Sequence, residues 1–253
     1  QEVTAYDLDN NGTFIIEFNN TTLVSGQIFW LKHLETNRYT RSTSQSGPLT
    51  FASREIAAYK NKDTANAFAV KRILSAAEAQ ALLSNTTVTP APQPAPTPAP
   101  QPAPTPAPQP APAPAPTPAP QPAPQPTPAP APVSGQLRYG DYLMIQGLVN
   151  NTKIASVLWS EKGKNYSHPK SSNQQAVGLV DSESRNTLWQ VRGPDGTDAN
   201  YKLGQAVMSN DQISLYHPAS DMYFHSHSIE LYGHPAPYST AEQEVTADPL
   251  NSD

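Results

Sequence analysis

The sequence of 253 residues contains no cysteine. This absence excludes disulfide frameworks, thiolate metal sites and cysteine nucleophiles. No run of apolar residues approaches the roughly 18 that a membrane-spanning helix requires, so we expect no membrane insertion. The chain carries 16 Lys and Arg against 21 Asp and Glu, a net charge of −5. With no basic cluster to follow a phosphate backbone, it is not expected to bind nucleic acid.

Signatures of catalysis are also missing. The sequence has no GxSxG, HExxH, phosphate-binding-loop or dinucleotide-binding pattern. His225 and His227 would share one face of a strand, as a two-histidine zinc site requires, with His217 and His234 close by in the sequence. No third ligand is evident, so we predict no metal, no cofactor and no enzymatic activity.

Proline dominates one segment of the chain. Of 29 prolines, 22 occupy every even position from Pro90 to Pro132. Proline fixes φ near −65° and forces the preceding residue to be extended, so neither helix nor sheet can form there. We predict a polyproline II rod or linker over residues 89–133, hereafter the proline block. At about 3.1 Å per residue it would span on the order of 130 Å. An ordinary linker between domains is the alternative to a structural rod.

The two flanks of the proline block share internal repeats. A strand-like segment with an aromatic-x-aliphatic ending recurs, with the pairs Phe14/Ile16, Phe68/Val70 and Trp189/Val191 in equivalent places. Residues two apart lie on the same face of a strand. A second segment contains two apolar strands around polar turn residues, and aligning it places His33, Gly147 and His217 in register. Such a pattern predicts a β-hairpin.

The order of these segments predicts a domain cut in two. Residues 1–74 contain the end of one β unit and one whole unit, and residues 134–253 contain a whole unit and the start of another. The second flank ends near QEVTA, the sequence with which the first begins. We therefore predict that the flanks are complementary parts of one three-unit body. Two separate small β domains are the alternative. Ser75 and Glu78 have the spacing of a capping box, which predicts a short helix over 75–84.

The repeats resemble the MIR domain, a β-trefoil module of protein O-mannosyltransferases and of inositol trisphosphate and ryanodine receptors. The similarity lies in LRYGDYLMI from Leu137, NTLWQVRGPDG from Asn186 and SNDQISLYHPASDMYFHSHS from Ser209, followed by QEVTA. It implies an all-β fold of MIR-like trefoil units, split into two parts that the block joins. The one predicted short helix lies just before the block. Its motif residues here would be Trp189, His217, Phe224, His225, Ser226 and His227.

Several residues could carry or contact sugar. The six Asn-X-Ser/Thr acceptors for N-glycosylation are Asn11, Asn19, Asn20, Asn85, Asn150 and Asn165. Four threonines of the proline block could carry O-glycans, as in mucin-like stalks: Thr97, Thr105, Thr117 and Thr127. Trp159, where the chain is expected to leave regular structure, and nearby Tyr166 are the predicted exposed aromatic residues for stacking on a sugar.

These features predict a non-enzymatic, extracellular structural or filament protein. In it, tandem trefoils would alternate with stiff and glycosylated spacers. The open ends of each flank predict completion of the trefoil by a copy of the protein, either the next repeat or a neighbouring subunit. The alternative is a glycan-binding adhesin or lectin-like module on a stalk, with carbohydrate as its partner.

Overall fold

The computed structural model describes residues 12–42, 54–62, 67–84, 135–149, 152–166, 173–194, 196, 198–230 and 243–248. The proline block, with the predicted polyproline II conformation and its four threonines, lies outside these residues, as do Asn11, Asn85 and Asn150. The described parts of the two flanks belong to one compact unit.

The described residues form twelve strands and one α-helix, which confirms the predicted all-β class. The first flank contributes β1 (Phe14–Glu17), β2 (Ile28–His33), β3 (Tyr39–Ser42), β4 (Arg54–Tyr59), β5 (Ala67–Leu74) and α1 (Ala76–Leu83). The second flank contributes β6 (Tyr142–Val149), β7 (Thr152–Asn165), β8 (Gln175–Val180), β9 (Trp189–Arg192), β10 (Gln212–His217), β11 (Met222–Glu230) and β12 (Gln243–Asp248). No helix in the described part of the chain has the length and apolar character of a membrane span.

Six strands pair into a closed antiparallel ring. The order of pairing is β1, β2, β5, β6, β9, β10 and back to β1. The other six strands form three hairpin arms, and β4, β8 and β12 also pair with one another in a triangle. Each unit of four strands therefore gives two strands to the ring and two to the set of three hairpin arms, which we call the cap. This is the threefold arrangement of a β-trefoil.

The units fall where the repeats predict them. Strands β2–β5 form one whole unit and β6–β9 another, while β10–β12 are completed by β1 from the opposite end of the chain. Two of the predicted hairpin turns are described, and each contains a residue with positive φ: Asn37 at 57° and Asp221 at 61°. Asn and Asp tolerate this left-handed conformation better than most side chains, so the polar turn residues fit their places.

The apolar residues of both flanks meet in one core. Ten of the 25 buried residues of the main cluster come from the first flank and fifteen from the second. Within a ring strand such as β1, burial alternates, with Phe14 and Ile16 inside. The residue pairs two apart in the repeats, such as Phe14 and Ile16, therefore identify the face of each strand that packs in this shared core.

Helix α1 begins at the predicted capping box. The backbone N–H of Ser75 donates to Glu78 Oε2 at 2.8 Å, and the N–H of Glu78 donates to Ser75 Oγ at 3.3 Å. The helix packs Ala79, Leu82 and Leu83 against Leu74 of the first flank and against Met144 and Leu188 of the second. The helix thus covers one edge of the joint between the flanks.

We expect Ser75→Ala to lower the free energy of unfolding by about 1 kcal/mol, because the first turn of α1 loses its side-chain cap. Urea denaturation followed by circular dichroism measures the change. Ser84→Ala, at the other end of the same helix, is the matched control and should change stability less. Equal losses for the two variants would contradict a specific role of the capping box.

The flanks are complementary, as the order of the repeats predicts, and completion by another copy stays a prediction. In the structure they pair directly with each other within one chain, for instance β5 with β6 and β1 with β10. The repeats specify which strands complement each other, and any chain that carries both sets of strands can satisfy those pairings with its own two ends.

Candidate functional site: the seam between the two flanks

The feature on which a structural role would depend is the seam, defined here as the contacts between residues 12–84 and residues 135–248. In the ring, six residue pairs join β5 to β6, from Phe68 opposite Gly147 to Leu74 opposite Tyr142. On the other side of the first flank, Phe14 of β1 lies opposite Ile213 of β10. In the cap, β4 pairs with both β8 and β12. The first flank therefore supplies half of the ring and one of three arms.

Side chains reinforce this backbone pairing. Ser209 Oγ accepts the N–H of Phe18 at 2.9 Å and donates to the carbonyl of the same residue at 2.8 Å. Ser42 Oγ donates to the carbonyl of Leu148 in a buried contact. Lys71 Nζ lies 2.9 Å from the Glu183 carboxylate. A partly exposed ion pair contributes little, so the buried hydrogen bonds and the core stabilise the seam.

The centre of the seam is aromatic. The Phe224 ring of the second flank lies 5.1 Å from the Phe14 ring of the first flank and 5.7 Å from the Trp189 ring, which it meets edge to face. All three side chains are fully buried. Trp189 Nε1 donates to the carbonyl of Leu158 at 3.2 Å. Trp189, which takes the place of Phe14 in its own repeat, is thus a core residue.

Two of the three equivalent hairpins place a histidine against this aromatic layer. The His33 ring lies 5.1 Å from Phe14, and the His217 ring lies 4.8 Å from Trp189. The third unit has Gly147 at this position, opposite Phe68. A Cβ at Gly147 would come within 2.6 Å of Leu179 Cδ1. Leu179 already occupies the space, which explains why a histidine is missing from this unit.

His217 is part of a buried hydrogen-bond network. Its Nε2 lies 3.1 Å from the carbonyl of Asn186, which can only accept, so Nε2 carries the proton. Nδ1 therefore accepts from Ser220 Oγ, 2.6 Å away, and that hydroxyl in turn accepts from Gln175 Nε2 at 2.9 Å. Burial lowers the pKa of His217 from 6.5 to about 4, although the bond to the Asn186 carbonyl acts in the opposite direction. His217 is thus neutral at physiological pH.

The lowered pKa of His217 predicts acid destabilisation. The unfolded chain binds a proton below pH 6.5 while the folded chain does not until about pH 4, so stability is complete above pH 6.5 and falls as the pH drops towards 4. We expect His217 to account for a loss of about 2 kcal/mol between pH 8 and pH 5. Urea denaturation at the two pH values measures it. His217→Gln should remove that part of the difference, whatever its own stability; an unchanged difference would contradict the assignment.

The remaining motif residues are structural as well. Phe224 enters the core, and Ser226, two residues further along β11, is also fully buried. His225 lies between them and its Nδ1 is 3.2 Å from Thr246 Oγ1 of β12. Thr246 donates to Gln174 Oε1 at 2.8 Å, which links the arm to the segment before β8. His227 lies in β11, but its side chain is not described. Among the described residues, no three metal-ligating side chains converge.

The aromatic residues predicted to be exposed are buried. Trp159 is only 5% exposed and Tyr166 only 4%. The prediction fails because β7 does not end at Trp159 but continues to Asn165, where its pairing with β8 places Trp159 opposite Gly178. Tyr166 Oη donates to the carbonyl of Val245 at 3.2 Å and so ties this arm to β12. Neither side chain is a surface on which a sugar could stack.

Three of the predicted N-glycosylation acceptors are described, and all three are exposed. Asn165 Nδ2 donates to the carbonyl of Asn173 at 2.7 Å, so that amide holds a turn together. Asn19 and Asn20 form the exposed bend after β1. Within the described part of the chain, the structure assigns neither of these two amides a hydrogen-bond partner.

The structure contains a cavity beside the Asn19–Asn20 bend that the sequence does not predict. It has a volume of about 460 Å³ and is lined by Asn19, Asn20, Gly26, Gln27, Ile28, Trp30, Ala67 and Leu148. The lining residues come from four separate stretches of the sequence and from both flanks. No local pattern brings them together, so a repeat-based reading of the sequence could not find this site. Trp30 is 7% exposed.

A charged cluster packs on Trp30, one of the residues that line the cavity. Lys62 Nζ lies 4.4 Å from the centre of the Trp30 ring and 2.5 Å from Glu17 Oε2. The Tyr39 hydroxyl donates to the other oxygen of Glu17 at 3.1 Å. Burial, followed by the negative charge of Glu17, raises the pKa of Tyr39 to about 12, so this hydroxyl keeps its proton. The cluster fixes Lys62 against the indole of Trp30.

Comparison with solved structures supports the fold. The SDF2-like protein from Arabidopsis thaliana superposes with a TM-score of 0.52 at 12% identity, over 89% of this chain and 87% of that one. The S. cerevisiae protein O-mannosyltransferase Pmt1-Pmt2 complex bound to its sugar donor gives a TM-score of 0.53 at 16% identity. That match covers 97% of this chain but only a quarter, 25%, of the yeast chain.

A Caenorhabditis elegans protein of unknown function matches less well, with a TM-score of 0.49 at 11% identity over 91% of this chain and 90% of that one. No protein-family model matches the sequence, and no curated protein matches it. At these identities the solved structures establish a similarity of fold alone. The Arabidopsis and yeast structures agree with the strand pairing, which places the two flanks in a single β-trefoil-like body.

Proposed function

We propose that this chain is a non-enzymatic, extracellular structural module of the MIR type, built from a trefoil and a stiff proline spacer. In the assembled protein, the flanks of successive repeats or of neighbouring subunits complete each other's trefoils. The observation that carries the proposal is the seam. Each flank supplies three of the six ring strands, and neither flank on its own closes the ring. The same pairings are available to a matching flank of another copy.

The proline block gives a physical reason for exchange between copies. Leu74 lies opposite Tyr142, so the short segments that lead to the block can separate its ends by about 75 Å at most when the flanks close in one chain. The 43 residues from Pro90 to Pro132 would extend to about 130 Å as polyproline II. A straight polyproline II block would then be too long for closure within one chain, whereas exchange with another copy would accommodate it.

Exchange of flanks between copies loses none of the contacts that hold the flanks together within one chain. A swapped trefoil has the same β5–β6 ladder, the same hydrogen bonds of Ser209 and the same contact between Phe14 and Phe224. Swapping of identical elements is a low-cost route to assembly when the connecting segment disfavours closure. The first flank of one copy pairs with the second flank of another, so the interface is heterologous. Repeated exchange of this kind builds an open chain of trefoils linked by spacers.

Refolding at increasing protein concentration tests the proposal. The full chain is denatured, diluted at concentrations from about 1 to 100 µM, and its mass measured by light scattering after chromatography. We expect oligomers whose share rises with concentration. A variant in which a Gly/Ser segment of equal length replaces the proline block is the control, and it should remain monomeric because a flexible chain closes easily. A native chain that is monomeric at every concentration would refute completion by copies.

The glycan-binding alternative has lost the residues on which it rested, because Trp159 and Tyr166 are buried. The yeast neighbour is bound to a sugar donor, but this chain matches only a quarter of it. We therefore propose the structural role as the function of this chain.

A further inference from the structure

The Trp30 cavity is the one feature of the described surface that combines shape with a specific chemistry. Its apolar wall consists of Trp30, Ile28, Ala67 and Leu148, and Ile28 is 37% exposed. A volume of about 460 Å³ is within the range of sites for small ligands, which is roughly 300–1,000 Å³. The structural role of the trefoil uses neither this volume nor the exposed isoleucine.

The polar lining of the cavity is neutral. The residues with polar side chains are Asn19, Asn20 and Gln27, and none of the eight lining residues carries a charge. Gln27 Oε1 accepts the N–H of Val24 at 3.1 Å, which fixes the position of this amide. The exposed aliphatic side chain of Ile28 beside neutral donors and acceptors suits a ligand with an apolar face and several hydroxyl groups, which is the chemistry of an uncharged sugar.

Two possible attachment sites for such a sugar lie at the rim of the cavity. Asn19-Asn20-Thr21-Thr22 contains two overlapping acceptors for N-glycosylation, and both asparagines line the cavity in an exposed bend. We propose that one N-linked glycan is attached to this pair and that its first N-acetylglucosamine packs into the Trp30 cavity against Ile28. The inference rests on the extracellular location in the proposed function, since attachment requires the secretory route.

Attachment makes the packing favourable where a free sugar would bind weakly. A glycan linked to the rim is held at a high effective concentration, so the contact does not have to offset the loss of translational freedom. The acetyl methyl group and the apolar ring face would cover Ile28, and the hydroxyl groups would meet the amides. The trefoil gains stability because this contact exists only when β2 and β5 are folded around the cavity.

Attachment is tested on the full chain secreted from glycosylating cells. Mass spectrometry of glycopeptides should find glycan on the 19–20 pair. Thr21→Ala removes the Asn19 acceptor and Thr22→Ala the Asn20 acceptor, and both leave the asparagines of the cavity in place. We expect one of these variants to lose the glycan and the other to keep it. An unmodified pair in the secreted wild-type chain would overturn the inference, while the refolding test of the proposed function would be unaffected.

Packing is tested by trimming the glycan to one N-acetylglucosamine and comparing the melting temperature with that of the same chain from bacteria. We expect the sugar to raise it by about 2–4 °C. Ile28→Ser should abolish that increment, whereas Leu203→Ser, at an apolar side chain that is 58% exposed and outside the cavity, should preserve it. Equal increments in both variants would overturn the packing. The packing would also be overturned if millimolar free N-acetylglucosamine raised the melting temperature of the unglycosylated chain by the same amount. That result would identify a free sugar as the ligand.

Discussion

Produced as two separate polypeptides, residues 1–88 and 133–253 should each lack a cooperative unfolding transition, and an equimolar mixture should regain one. The first flank contributes β1, β2 and β5 to the ring and leaves both outer edges unpaired, since β5 loses β6 and β1 loses β10. It also exposes Phe14 and Phe68, which are fully buried in the joined body. Unpaired edges with apolar faces do not form a stable isolated domain.

The expected effect is the loss of all the stability of the fold, typically about 5–15 kcal/mol for a domain, in each separate polypeptide. Circular dichroism and tryptophan fluorescence during urea titration measure it, and chromatography with light scattering should give a one-to-one complex after mixing. Phe14→Ala in the first polypeptide should weaken the complex because its ring packs on Phe224 of the second. Lys60→Ala, at an exposed residue of the same polypeptide, is the control and should not.

A first polypeptide that folds by itself as a monomer would contradict this expectation. The exchange proposed for successive copies would then lose its basis, because a self-sufficient flank has no strands to lend. Recovery of the complex, by contrast, demonstrates that the seam forms without the proline block. The block would then act on the choice of partner and not on the stability of the joined trefoil.

Much of this architecture could be predicted from the sequence, because each repeat is a local pattern. The pairs Phe14/Ile16 and Trp189/Val191 mark ring strands by alternation alone, and the structure buries all four side chains. Ser75 and Glu78 identify the start of α1 from their spacing. The cut within one unit also follows from the order of repeats, and β1 completes β10–β12 as that order requires.

The failures share a physical cause, which is dependence on contacts between distant segments. Trp159 lies in a stretch without clear alternation, and its burial follows from pairing with β8 and not from its neighbours in sequence. The Trp30 cavity joins β2 and β5 to Leu148 of β6, across the proline block. Likewise, a repeat pattern specifies that β5 pairs with a strand like β6 but contains no information on which copy supplies it.

Trp189 is one of the three equivalent aromatic residues of the core. We expect its replacement by alanine to lower the free energy of unfolding more than any other single substitution. Its equivalents in the other two units are Phe14 and Phe68, so the third unit has the largest of the three side chains. The indole packs on both His217 and Phe224 and donates to the carbonyl of Leu158. We expect Trp189→Ala to lower the free energy of unfolding by about 3–5 kcal/mol through the cavity it leaves.

Trp189→Phe separates packing from the hydrogen bond. Phenylalanine restores the residue that the two equivalent positions carry, and it keeps an aromatic ring against His217 and Phe224. We expect it to cost about 1–2 kcal/mol, since the buried carbonyl of Leu158 loses its side-chain donor and part of the volume is lost. Urea denaturation of both variants at pH 8, where His217 is neutral, measures the two costs. Equal costs for alanine and phenylalanine would show that the Leu158 hydrogen bond dominates, and would contradict an aromatic layer held together by packing across the seam.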